Sequence, residues 1–150
     1  MAVKNQEPSQ LHDPVNGRVT FVNADGTAYK TILTATAADN SKELQLYSII
    51  ATSDDTVSRD LRFAINNGSN DIEQGDIAIA PNSGFGISTP PVQVMANRTL
   101  PVLSRVIKDI RGNWFCWLAA GESIRVRPLT AVTATRTIAV SVAGWNFTRS

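Results

Sequence analysis

Turn-forming clusters punctuate this chain about every 8–12 residues, and between them side chains alternate apolar and polar. Asn23-Ala24-Asp25-Gly26 follows the run RVTFV (18–22), and Asn66-Asn67-Gly68 closes RDLRFAINNG (59–68). Intervals this short suit strands, and no segment repeats its apolar residues at the 3.6 period of an amphipathic helix. YKTILTA (29–35), ELQLYSIIATS (43–53), DIAIA (76–80) and TRTIAVSVAGWNF (135–147) continue the pattern, and WFCWLAAGESIRVRPL (114–129) supplies strand, turn and strand. The total, about seven to eight strands, predicts an all-β chain folded as an antiparallel, jelly-roll-like β-sandwich.

Alternation also predicts the core. Leu44, Leu46 and Ser48 share a face, as do Leu61, Phe63 and Ile65, and Ile138, Val140 and Val142. The continuous run Ile49-Ile50-Ala51 predicts a strand end buried on both sides. Residues 1–17, polar and carrying Pro8, Pro14 and Gly17, read as a flexible N-terminal arm, and 18–150 as one sandwich domain. The arm is either a frayed terminus or a segment ordered by a neighbouring subunit. Pro90, Pro91 and Pro101 exclude a central strand from 87–107, which reads as a short helix near 92–98 or as a long crossing loop.

Charged residues make up 18% of the chain, against about 25% in an ordinary domain. The net charge of +1 leaves no basic excess for phosphate neutralisation, so nucleic acid is not expected as a partner. No run of about 18 apolar residues exists to cross a membrane, and the first residues lack the apolar core of a secretory signal. A surface this poor in charge is covered by Thr, Ser, Asn, Ala and Gln, or by another protein.

The segment GNWFCWLAAGESIRVRPL (112–129) holds two of the three Trp residues and the single Cys. Trp114, Cys116 and Leu118 face one way, and Phe115 and Trp117 the other. Beyond the turn, Ile124 and Val126 point inward and Arg125 and Arg127 outward. A nucleophilic thiolate needs a base and an electropositive setting, and the only His, His12, lies in the expected arm. Cys116 therefore reads as a small core residue, and a lone Cys forms no internal disulfide. One His cannot build a multi-His metal site, and no phosphate-binding, zinc or nucleophile-elbow motif is present. Glu73 and Glu122 can be paired on paper as a glycosidase acid and base, but nothing in the sequence fixes their separation. No catalytic, cofactor or metal residue is expected.

Contact chemistry is expected instead. Phe115 and Trp117 make the second strand face apolar, which calls for a cover: either a partner molecule or the 87–107 loop. Trp145 and Phe147, near the C-terminus, are candidates for an interface or an end-of-core plug, and Leu11 joins them from the arm. Arg105, Lys108 and Arg111 read as a solvated loop face, with a subunit contact to an acidic patch as the alternative. The candidate interface residues are Leu11, Arg105, Phe115, Trp117, Trp145 and Phe147.

Two segments, LYSIIATSDDTVSRDLRFAINNGSNDIEQGDIAIA and LAAGESIRVRPLTAVTATRTIAVSVAGWNF, resemble small structural proteins of tailed bacteriophages. In that family an apolar strand ending in Ala-Thr-Ser leads through an Asp/Thr turn to an Arg-bearing strand and an Asn-Asn-Gly turn. Ala-Gly-Glu-Ser then leads into Ile-Arg-Val, and a Thr/Ala-rich turn precedes the last apolar strand. The resemblance implies a jelly-roll head decoration or cement protein, a homotrimer bound to the major capsid protein on the virion surface after synthesis in the host cytoplasm. It brings no catalytic residues. The alternative expectation is a carbohydrate- or receptor-binding sandwich of the neck, tail or fibre, stacking sugars on Trp114, Trp117 or Trp145.

Overall fold

The computed structural model describes residues 12–35, 42–86, 88–96 and 105–148. Among them lie ten strands: β1 (His12–Phe21), β2 (Lys30–Thr34), β3 (Lys42–Ser53), β4 (Arg59–Asn66), β5 (Asp71–Ile79), β6 (Val92–Gln93), β7 (Val106–Lys108), β8 (Trp114–Ala119), β9 (Ser123–Pro128) and β10 (Ile138–Thr148). They form two antiparallel sheets, β1-β10-β3-β8-β7 and β2-β9-β4-β5, with β6 paired to β3 beside the first. The chain is an all-β antiparallel sandwich. Its core joins Phe21, Leu44, Leu46 and Leu118 of the six-stranded sheet to Leu61, Phe63, Ile65 and Ile124 of the four-stranded one. Each sheet turns one apolar face inward, as the alternation required.

Three expectations need correction. The first strand starts at His12, not Arg18, so residues 12–17 belong to the sheet. Pro14 and Gly17 made this stretch read as an arm, yet both fit where they stand. β1 is an edge strand, where a missing N–H is tolerated. A Cβ on Gly17 would lie 2.3 Å from the Ile32 carbonyl oxygen, so close sheet contact requires glycine there. Residues 1–11 lie outside the described residues.

The second correction concerns β3. Gly144 pairs with Leu46 and Ala143 with Ser48, which leaves Tyr47 as the extra residue of a β-bulge. The bulge shifts the phase by one. Leu44 and Leu46 point inward before it and Ile49, Ala51 and Ser53 after it, so Ser48 turns outward. The run Ile49-Ile50-Ala51 thus records a change of phase: Ile49 and Ala51 are fully buried, and Ile50 sits half-buried on the outer face. Gly144 completes the bulge, because a Cβ there would meet the Gln45 carbonyl oxygen at 2.0 Å.

Third, β5 begins at Asp71, five residues before the alternation becomes clear. The turn before it is compact: Asn67 Oδ1 accepts from the N–H groups of Ser69 and Asn70. In the irregular tract, residues 92–96 form β6 and one turn of 3-10 helix, and β7 follows at 106–108.

At one end of the sandwich a buried carboxylate ties loops together. Asp55, fully buried, accepts from the backbone N–H and hydroxyl of Thr133 (2.9 and 2.8 Å), the Val57 N–H (3.1 Å) and Arg59 Nε (2.9 Å). Its own carbonyl accepts from Asn82 N–H at 3.0 Å. The β3–β4, β5–β6 and β9–β10 connections meet there.

Candidate functional site

The candidate surface is the outer face of the six-stranded sheet. Register aligns Pro14 of β1 with Trp145 of β10, Trp145 with Gln45 of β3, and Gln45 with Trp117 of β8. Cross-strand partners share a face, so these four side chains form one row. Arg105 extends it: the Trp117 N–H donates to the Arg105 carbonyl at 3.3 Å, and the guanidinium lies 4.5 Å over the Trp117 ring. Trp145 is 38% exposed.

Beyond this row the face becomes small and shallow. Asn16, Arg18, Ser48, Ile50, Ser141 and Ala143 line a depression of about 380 Å³. Ser48, Ser141 and Ala143 are small, and they leave a shallow hollow between Arg18 and Ile50.

The structure brings together Trp117, Trp145 and Arg105 from the sequence-based candidates and separates out the rest. Phe115 is only 6% exposed, with its ring stacked on Tyr47 at 5.5 Å between centroids. It is covered by its own chain and offers no contact surface, which corrects its expected role. The cover for the second strand face is thus Tyr47 over Phe115 and Arg105 over Trp117. Of Phe147 the backbone is described, beside Glu43 and His12; Leu11 lies outside the described residues.

Arg105 also has intramolecular work. It pairs with Glu122, whose carboxylate accepts from the Ala119 N–H at 2.7 Å and closes the β8–β9 turn. Burial pushes the Glu122 carboxyl up, but Arg105 and the Ala119 N–H outweigh it and hold the group below its ordinary value. Glu122 and Glu73 therefore serve separate networks, since Glu73 lies on β5 against Arg62, Arg127 and the Tyr29 hydroxyl. Cys116 is fully buried, and burial pushes its thiol up to about 12, so it stays protonated at neutral pH. What this face offers is ring surface, an amide at Gln45 and flat backbone, the chemistry of contact.

The opposite outer face is built differently. Arg62 grips Asp76 at 2.7 and 3.0 Å, Arg125 grips Asp71 at 2.8 and 3.0 Å, and Arg125 and Arg127 flank the Tyr29 ring at 5.5 and 5.3 Å. Arg62, Arg125 and Arg127 are matched there by Asp76, Asp71 and Glu73 of the same chain.

Sequence reasoning missed Pro14, Gln45 and Tyr47 as parts of the candidate surface. The signal for Pro14 was present, as a proline four residues before an alternating stretch suits the start of an edge strand. Comparison with protein families, with characterised proteins and with solved structures finds no match to this chain.

Proposed function

We propose that this chain is a non-enzymatic structural protein of a phage virion, a cement-type protein that docks on the major capsid protein through the outer face of its six-stranded sheet and acts as a homotrimer. The carrying observation is the composition of that face. Trp145, Trp117, Pro14 and Gln45 share one row, small residues adjoin it, and among the described residues charge reaches the face through Arg18, Glu43, Arg105 and the Asp109 carboxylate that meets Tyr47. Charge depletion with aromatic enrichment marks the core of a protein interface. The strand order supports the same reading. Without β6 and β7, the sheets run β1-β10-β3-β8 and β2-β9-β4-β5, which we read as the two interleaved Greek keys of a jelly roll. The resemblance of the two long segments to phage structural proteins supplies the virion setting.

Add-back to particles lacking this protein tests the proposal. Wild-type chain should co-sediment to a saturating stoichiometry, and Ala143→Arg, which places a bulky cation on the flat face, should reduce occupancy at least tenfold. Failure of the wild type to sediment with particles, or full occupancy by the variant, overturns it. A glycan-binding module is the second reading, favoured by the partly exposed Trp145 ring beside the Gln45 amide. Saccharide binding on an array, lost in Trp145→Ala, would replace the first reading with this one.

A further inference from the structure

We infer that Asn67 is a modification site, deamidating in the folded protein through attack of the Gly68 nitrogen on its side-chain amide. Asn-Gly occurs twice in the chain, at Asn16-Gly17 and Asn67-Gly68. The residue after the asparagine governs how readily such a step begins, because a side chain there crowds the attacking nitrogen and glycine has none. The two pairs are chemically alike, and the fold makes them unequal.

Asn16-Gly17 lies inside β1, where the register pairs it with Ala143 and Val142 of β10. On its other side Gly17 is pressed against β2, since a Cβ there would stand 2.3 Å from the Ile32 carbonyl oxygen. The extended backbone is held on both flanks, so the nitrogen cannot swing toward the Asn16 Cγ. Asn67-Gly68 lies in the β4–β5 turn, with both residues exposed. Gly68 takes φ +99°, and apart from its chain neighbours no heavy atom lies within 4 Å of the point where its Cβ would stand. That backbone has room to move.

The hydrogen bonds of the turn also favour the reaction. Attack on Cγ drives negative charge onto the Asn67 Oδ1. The N–H groups of Ser69 and Asn70 already converge on that oxygen, at 3.0 and 2.9 Å. Two backbone donors aimed at a developing oxyanion are the arrangement that lowers the barrier to acyl transfer. The Gly68 N–H donates to the Asn66 Oδ1 at 2.8 Å, and the Asn66 Nδ2 donates in turn to the Asp71 Oδ1 at 3.0 Å. This chain polarises the N–H bond that must lose its proton.

The chemistry balances with water as the sole co-reactant. A bond forms from the Gly68 nitrogen to the Asn67 Cγ, and the Cγ–Nδ2 bond breaks. The Gly68 amide proton passes to solvent base, and ammonia leaves with a proton from water. Water then opens the five-membered imide at either carbonyl, leaving aspartate or isoaspartate at position 67. The aspartate carboxylate keeps both donors, now as charge-assisted bonds. Isoaspartate lengthens the main chain and displaces the 3.1 Å bond from the Asn67 N–H to the Asn70 carbonyl. Either product takes the formal net charge at pH 7 from +1 to 0.

The turn joins two strands of the four-stranded sheet, so the reaction is independent of the docking face on the other one. Purified full-length chain is incubated at 37 °C and pH 8, folded and in guanidinium chloride. Peptide mass spectrometry follows conversion at both Asn-Gly pairs, and enzymatic methylation of isoaspartate confirms the product. In the folded chain position 67 should convert at least about tenfold faster than position 16, and in guanidinium the two rates should draw together. Asn67→Ser, with wild-type melting by circular dichroism, should lose most of the acidic form that wild type develops on isoelectric focusing. Conversion in the folded chain no faster at position 67 than at position 16 overturns the assignment. So does a gap that persists undiminished in guanidinium, or an Asn67→Ser chain that acidifies as fast as wild type.

Discussion

Asp55→Asn is the sharpest test of what holds this sandwich together. Burial pushes the Asp55 carboxyl up, but the Thr133 and Val57 donors and the Arg59 guanidinium more than reverse this and hold it well below the ordinary carboxylate range. Asparagine keeps the shape, removes the charge and turns an NH2 group toward donors. One or more of Thr133 N–H, Val57 N–H and Arg59 Nε then loses its acceptor. Breaking a buried ion pair by removing one partner costs about 3–5 kcal/mol, and Arg59 keeps some contact with water, so about 3 kcal/mol is expected at pH 7. For a chain of this length that is a fall in Tm of roughly 6–12 °C. The pH dependence has a definite sign. The folded-state pKa lies below the unfolded value of about 3.9, so the stabilisation is complete above that value and is lost as pH falls below it toward the folded pKa. Urea unfolding of wild type and Asp55→Asn at pH 7 and pH 2.5 measures both effects. The gap between the two proteins should narrow at pH 2.5. A gap below about 1 kcal/mol at pH 7, or one unchanged at pH 2.5, would refute the reasoning.

Gly144→Ala should destabilise by about 1–3 kcal/mol, because the new methyl meets backbone rather than a movable side chain; urea midpoints of the purified variant check it. Deleting residues 1–17 removes the pairing of His12–Gly17 with Phe147–Val142, so thermal melting should fall by several degrees, whereas a dispensable arm would leave it unchanged. Cys116 should resist a thiol reagent in native buffer at pH 8 and react once guanidinium unfolds the chain; fast native labelling would contradict its burial.

The strand content and most inward faces were legible because one face of each sheet is buried, and burial imposes a period of two. Leu61, Phe63 and Ile65 needed nothing else, nor did Ile138, Val140 and Val142. Legibility failed where one residue changes phase or where the partner is remote. No local pattern marks Tyr47 as a bulge, since the cause is a glycine 97 positions later, at Gly144 on a neighbouring strand. Asp55 looked like one more acidic loop residue, because its donor Thr133 lies 78 residues away. The candidate surface was legible in part. Aromatic surplus pointed to β8 and β10, but only register could show that Trp145 and Trp117 share a row while Phe115 is sealed under Tyr47.

The two outer faces differ in what contact with a partner would cost them. On the four-stranded sheet, three arginines and three acids already satisfy one another, and a partner would have to displace water from paired ions whose attraction it could hardly improve. On the six-stranded sheet, covering Trp145 and the small residues of β1, β10 and β3 removes mostly uncharged surface from water, so burial is favourable with little electrostatic penalty.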